Sequence, residues 1–120
     1  IIFGNEQREI ALLKDDGGQF TFNFSNSLIR FEDPNGEFED NPLYDFSNNA
    51  LYTNSVFNED PVFQNTEMNN FNIETGTSAA DGIGNTATAQ LVPVDLNGIN
   101  RDTQSPDAGA YESTVFPEEE

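Results

Sequence analysis

Alternation is the clearest signal in this chain. Residues 20–24 read Phe-Thr-Phe-Asn-Phe, which puts Phe20, Phe22 and Phe24 on one face of an extended segment and Thr21 and Asn23 on the other. Asp15-Asp16-Gly17-Gly18, just before it, is a turn signal. Short apolar runs predict further strands at 10–13, 28–31, 51–57, 61–63, 71–73 and 91–94. Turns rich in Asn, Asp, Gly and Pro separate them, such as Asp33-Pro34-Asn35-Gly36 and Asp40-Asn41-Pro42. No stretch holds a helical period over several turns, so the pattern predicts an all-β chain.

A weak repeat bears on which all-β architecture to expect. Asn26-Ser27-Leu28-Ile29-Arg30-Phe31-Glu32-Asp33-Pro34 is echoed by Asn54-Ser55-Val56-Phe57-Asn58-Glu59-Asp60-Pro61, offset by 28 residues at the start and 27 at the end. A period in the twenties suits one coil of a parallel β-helix, in which each coil needs its neighbours to bury its inward face. Chance similarity in a chain rich in Asn and Asp is the competing account. Asn5, Asn26, Asn54, Asn65 and Asn85 are candidates for stacked turn positions, because Asn tolerates left-handed backbone angles; ordinary loops are the alternative.

Charge narrows the partners. Twenty-two acids oppose four bases, Arg8, Lys14, Arg30 and Arg101, for a formal net charge of −18. Such a chain repels nucleic acid and anionic membrane surfaces, and no apolar run is long enough to insert in a bilayer. The eleven Phe argue against the disorder that so acidic a composition otherwise suggests. With no Cys and no His, disulfides, thiolate chemistry and Ser-His-Asp catalysis within this segment are excluded.

The last third carries the most specific motifs. Asp95-Leu96-Asn97-Gly98-Ile99-Asn100-Arg101 is followed, after a polar spacer, by Pro106-Asp107-Ala108-Gly109-Ala110-Tyr111-Glu112. This pair resembles the terminal signature of the choice-of-anchor Q family of bacterial surface proteins, an Asp-x-x-Gly-x-x-Arg element and an Asp-x-Gly-Ala-Tyr-Glu element. Upstream, Ile1-Ile2-Phe3-Gly4-Asn5, Glu59-Asp60-Pro61-Val62-Phe63 and Phe71-Asn72-Ile73 with Gly76–Gly82 are similar, in order, to late coils of such proteins. Ala79 stands where the family usually has Pro, residues 37–55 look inserted or irregular, and Ser113 to Glu120 resembles no sorting tail.

The resemblance implies a right-handed parallel β-helix, with its last coils over residues 1–80 and a terminal cap and acidic tail over 81–120. It also implies an extracellular or bacterial cell-surface location, with any lipid anchor upstream. The opening Ile1-Ile2-Phe3 is expected to continue from earlier coils of the same chain. The expected function is non-catalytic: a segment that closes the solenoid and docks to another cell-envelope protein or polysaccharide. The alternative is the tail of a carbohydrate-active β-helix enzyme, a polysaccharide lyase or glycoside hydrolase, whose site lies on upstream coils.

The residues assigned to the cap are Asp95, Gly98, Arg101, Asp107, Gly109, Tyr111 and Glu112. Glycine permits tight turns, and the planar fork of Arg101 can join carboxylates on both motifs, with Asp95, Asp107 and Glu112 as candidate partners. Asp81, Asp95 and Asp107 are hard oxygen donors of the kind calcium takes, or else they cap turns through backbone amides; no other cofactor is expected. Carboxylate pairs such as Glu59 and Asp60 are adjacent in sequence, which points them to opposite faces of a strand and supplies no glycosidase geometry. Tyr44, Phe46 and Tyr52 fall in the irregular stretch and are candidates for a contact surface or a satellite core.

Overall fold

Four asparagines bend this chain. Asn26, Asn54, Asn58 and Asn69 all adopt left-handed backbone angles, with φ between 50 and 60°. Asn26 separates β1 (Phe24–Ser25) from β2 (Leu28–Ile29), and Asn54 separates β3 (Tyr52–Thr53) from β4 (Val56–Phe57). The two segments therefore turn at the same place. β1 lies parallel to β3 with Phe24 opposite Tyr52, and β2 lies parallel to β4 with Leu28 opposite Val56. Ile2 adds a single parallel bridge to Ile29. The computed structural model describes residues 1–119.

The expected all-β, right-handed parallel β-helix does not form. Among the described residues the strands are two to four residues long and make three separate two-stranded sheets, two parallel and one antiparallel, and no sheet continues as a solenoid. The reason lies in the turns. After β4, Asn58 turns left-handed, Pro61 offers no N–H, and Val62 is itself held at a φ of 49°. The chain then reverses through a 3₁₀ turn at Thr66–Met68 and left-handed Asn69. This makes β5 (Phe63–Asn65) and β6 (Asn70–Ile73) an antiparallel pair.

Other strand expectations shrink in the same way. Phe20, Phe22 and Phe24 do alternate with the exposed Thr21, Asn23 and Ser25, but only Phe24 and Ser25 join a ladder. Residues 10–13 form no strand. Leu91 ends a short helix, α1 (Thr86–Leu91), whose first turn is capped by the Asn85 side chain accepting from the Thr88 N–H. At six residues it is too short for its period to register in the sequence.

Two apolar clusters hold these pieces. The first joins Leu28, Ile73, Ala80 and Ala108, with Ile1, Val56, Phe63, Ala79 and Ile83 packed against it. It crosses the expected boundary after residue 80, and the Ala108 N–H donates to the Ala80 carbonyl at 2.9 Å. The second is aromatic. Tyr44 stacks on Phe31 at 4.6 Å, Phe46 stacks on Phe57 at 4.1 Å, and Tyr52 meets Phe22, Phe24, Phe46 and Phe57. The irregular stretch 37–55 is thus folded back by its own aromatics, with a 3₁₀ turn at Pro42–Tyr44.

Asn58 tests the turn argument. Its Oδ1 accepts from the Phe31 N–H at 2.7 Å, and its Nδ2 donates to the Phe31 carbonyl at 2.9 Å. Asn58→Ala is expected to lose both bonds and to strain a left-handed position, at a cost of about 3 kcal/mol in urea unfolding. Asn58→Gly is expected to recover roughly 1 kcal/mol of that by relieving the strain alone. Equal losses for the two variants would refute a backbone contribution at this turn.

Candidate functional site

Carboxylates organise the terminal segment. The segment from Pro93 to Ser113 has almost no ladder to take up its amides, so side chains must accept from them. Asp95 begins the arrangement. Its Oδ1 accepts from the N–H groups of Asn97 and Ile99, at 2.8 and 2.9 Å, which closes a tight hairpin. Its Oδ2 reaches across to the Glu112 N–H at 2.8 Å. Gly98, at a φ of 77°, makes the hairpin tip, where side chains are disfavoured.

Glu112 and Asp107 carry the arrangement onward. Glu112 Oε1 accepts from Arg101 Nη1 at 2.9 Å and from the Asp107 N–H at 3.1 Å, while its Oε2 accepts from the Asp102 N–H at 3.3 Å. Asp107 accepts from the Gly82 N–H at 2.6 Å and from the Ser113 N–H. Asp95, Asp107 and Glu112 are all buried. The Arg101 and Glu112 side chains keep 12% and 9% of their surface exposed, so their pair is largely desolvated. The second arm of Arg101, Nη2, donates to the Gly109 carbonyl at 3.0 Å. Of the three carboxylates expected as its partners, Arg101 meets Glu112.

The remaining cap residues lie around this core. Gly109, at a φ of 100°, faces Ile1, whose side chain would stand 3.1 Å from an added Cβ. Tyr111 lines an apolar cleft of about 300 Å³ together with Ile1, Phe3, Phe63, Phe71 and Ile73. Gly84 was not singled out from the sequence, yet an added Cβ there would come within 2.7 Å of the Pro106 and Asp107 backbone carbonyls, which cannot swing aside as a side chain can. Its N–H donates to the Pro106 carbonyl at 2.7 Å. No motif marks it, because the contact is made across 22 residues by backbone alone.

The calcium candidates are placed on amides. Asp95 and Asp107 are engaged as described, and Asp81 Oδ2 accepts from the Gly76 N–H at 2.6 Å. Among the described residues, no three or more acidic side chains converge in a group suited to a metal ion. Tyr44 and Tyr52 turn their hydroxyls to backbone: Leu12 N–H donates to Tyr44 Oη at 2.8 Å, and Tyr52 Oη donates to the Leu43 carbonyl at 2.6 Å. Burial, with the neighbouring Tyr44, pushes the Tyr52 hydroxyl up to about 12. Tyr52 is 2% exposed, and Tyr44 and Phe46 are half-buried, so these three serve the aromatic cluster.

One carboxyl is in conflict with its surroundings. The Gly76 N–H draws the pKa of Asp81 downward. Partial burial, a hydrogen bond with Asp107 and the charges of Asp107 and Glu112 outweigh it and hold Asp81 above the ordinary aspartate value. Asp102 shows the opposite balance: the N–H groups of Ser105 and Gln104 hold it below that value.

No protein-family model, curated protein or solved structure matches the chain.

Two outcomes test this geometry. Arg101→Ala leaves Glu112 buried without its cation and is expected to cost about 3–5 kcal/mol, read by chemical denaturation. A loss under about 1 kcal/mol would mean that the pair behaves as a surface contact. For Asp81 the raised folded-state value means that the folded chain holds this proton more tightly than the unfolded one. That contribution is full below the unfolded value and is lost as pH rises through the folded value. Asp81→Asn keeps the acceptor for Gly76 and adds a donor for Asp107. Its Tm is expected to exceed that of the parent at pH 7, with the gap closing once Asp81 is protonated in acid. A lower Tm for the variant at neutral pH would refute the conflict.

Proposed function

We propose that this chain is a non-catalytic structural segment of a secreted or cell-surface protein, in which residues 93–113 act as a cover locked over the apolar cluster around Leu28, Ile73 and Ala80. The observation that carries this reading is how the buried carboxylates are used. Asp95, Asp107 and Glu112 each accept from at least two donors, and nearly all of those donors are backbone N–H groups. A catalytic carboxylate needs an oxygen free to reach substrate. These oxygens tie strands of the chain together instead. Ala108, between two of the tied residues, is the part of the cover that enters the apolar cluster. The likeness of the two terminal motifs to those of bacterial surface proteins supports the placement outside the cell.

Glu112→Gln tests the reading. The amide keeps one acceptor but turns a donor toward the N–H groups that now point at Glu112. Amides of Gly82, Asp102, Asp107 and Ser113 are expected to exchange with solvent faster, and the variant is expected to bind a hydrophobic dye as the cluster under Ala108 opens. Cleavage of a polysaccharide by the parent chain that Glu112→Gln abolishes with the fold intact would overturn the structural role.

A further inference from the structure

Charge is distributed unevenly over this surface. Residues 83–100 contain one charged side chain, Asp95, and it is buried. Among the described residues, the same stretch holds five of the ten large apolar side chains that stand exposed: Leu91 at 84%, Val92 at 50%, Val94 at 45%, Leu96 at 72% and Ile99 at 49%. Leu91 and Val92 end the helix α1, and Val94, Leu96 and Ile99 sit on the closed hairpin that follows it. Val94 bridges Asn100, the Asp95 N–H donates to the Ile99 carbonyl at 2.8 Å, and the Arg101 N–H donates to the Pro93 carbonyl at 2.9 Å. Asn97 Nδ2 further ties the tip to Asn72 Oδ1 at 2.8 Å. A chain of net charge −18 thus presents one rigid, uncharged, apolar hairpin.

We propose that the face built by residues 91–99 pairs two copies of this chain. Charge argues for that occupant. Two bodies at −18 repel wherever their acidic surfaces meet, and this stretch lets them touch without bringing charge together. A cationic partner is drawn to the acidic surface elsewhere, and an anionic lipid surface is repelled. Area agrees. The five side chains expose roughly 500 Å² at ordinary side-chain areas, more than scattered surface residues present and close to the apolar share of one side of a standard interface of about 800 Å² per partner. A face of Leu, Val and Ile meets itself across a two-fold axis without needing a complementary charge. The inference shares with the structural-cover reading the hairpin that Asp95 closes, and its test changes only side chains open to solvent, so loss of the dimer with the fold intact is distinguishable from loss of the cover.

Sedimentation velocity over micromolar to millimolar protein, at low and at high salt, tests it. A dimer is expected, and salt is expected to tighten it, since screening removes repulsion between the acidic bodies while leaving the apolar contact. Leu91→Glu and Leu96→Glu are each expected to weaken dimerisation at least about tenfold, as a charge placed in an apolar contact does. Both positions are open to solvent, so circular dichroism is expected to be unchanged. Met68→Glu and Val115→Glu are matched controls at exposed apolar positions elsewhere, and are expected to leave the dimer intact. A monomer throughout, a dimer unmoved by both hairpin variants, or an equal loss from the controls overturns the proposal. Capture on neutral phosphatidylcholine vesicles in place of self-association overturns it in favour of a lipid occupant.

Discussion

The hydrogen bonds from backbone amides to Asp95, Asp107 and Glu112 are the constraint on which the far end of the molecule depends. An irregular segment that is partly buried has no ladder to receive its N–H groups, and a buried N–H without an acceptor is costly. Carboxylates solve this economically because each has two oxygens and several lone-pair directions. Asp95 fixes its own hairpin and seizes Glu112; Glu112 holds Asp102 and Asp107; Asp107 holds Gly82 and Ser113. The three form a relay, in which each residue positions the backbone of the next. Ala108 reaches the apolar cluster because Asp107 before it is held from both directions.

Such a relay collects negative charge with one cation to offset it. Arg101 answers Glu112, and the amide dipoles answer the rest. The limit is visible at Asp81, which has its own amide from Gly76 yet faces both Asp107 and Glu112. A fourth carboxylate exceeds what the local donors stabilise, and the excess appears as a proton held more tightly than in the unfolded chain. The Asp102 carboxyl accepts from two amides, those of Ser105 and Gln104, with no acid opposing them, and its pKa is held below the ordinary value instead. Neighbouring charge, more than the turn itself, decides which way an aspartate moves here.

The parts of this architecture legible in the sequence were the ones with local causes. Asn26-Ser27-Leu28 and Asn54-Ser55-Val56 share a bend and a following apolar pair, and the observed register sets Leu28 opposite Val56 at the repeat's own offset. The extrapolation to a β-helix failed, because a repeat specifies where two segments match and not how far a ladder continues. Pro61 and the left-handed angle at Val62 divert the chain, and no pattern announces a left-handed valine. Of the five asparagines expected at turns, Asn26 and Asn54 take left-handed angles, whereas Asn65 and Asn85 cap helical turns with their side chains. Asn chemistry suits both tasks, and only the following residues separate them. Arg101 meets Glu112 alone among its three candidate partners, although Glu112, like Asp107, also accepts from two amides, and a choice among carboxylates brought together by the fold is not written in local sequence.

The same logic accounts for the division between acidic and apolar surface. A relay that buries Asp95 removes the one charge of its stretch from the surface, so the hairpin it closes is neutral as a consequence of being held. Leu96 and Ile99 flank the turn that Asp95 grips, and their exposure follows from the short span between bridged Val94 and Asn100, which leaves no room for them to fold inward. An exposed apolar tip on a loose loop would collapse onto its own body. A tip fixed by buried hydrogen bonds cannot, and it stays available to another surface. The interaction that stabilises the terminal segment and the feature that suits it for association therefore have a common origin in one buried aspartate.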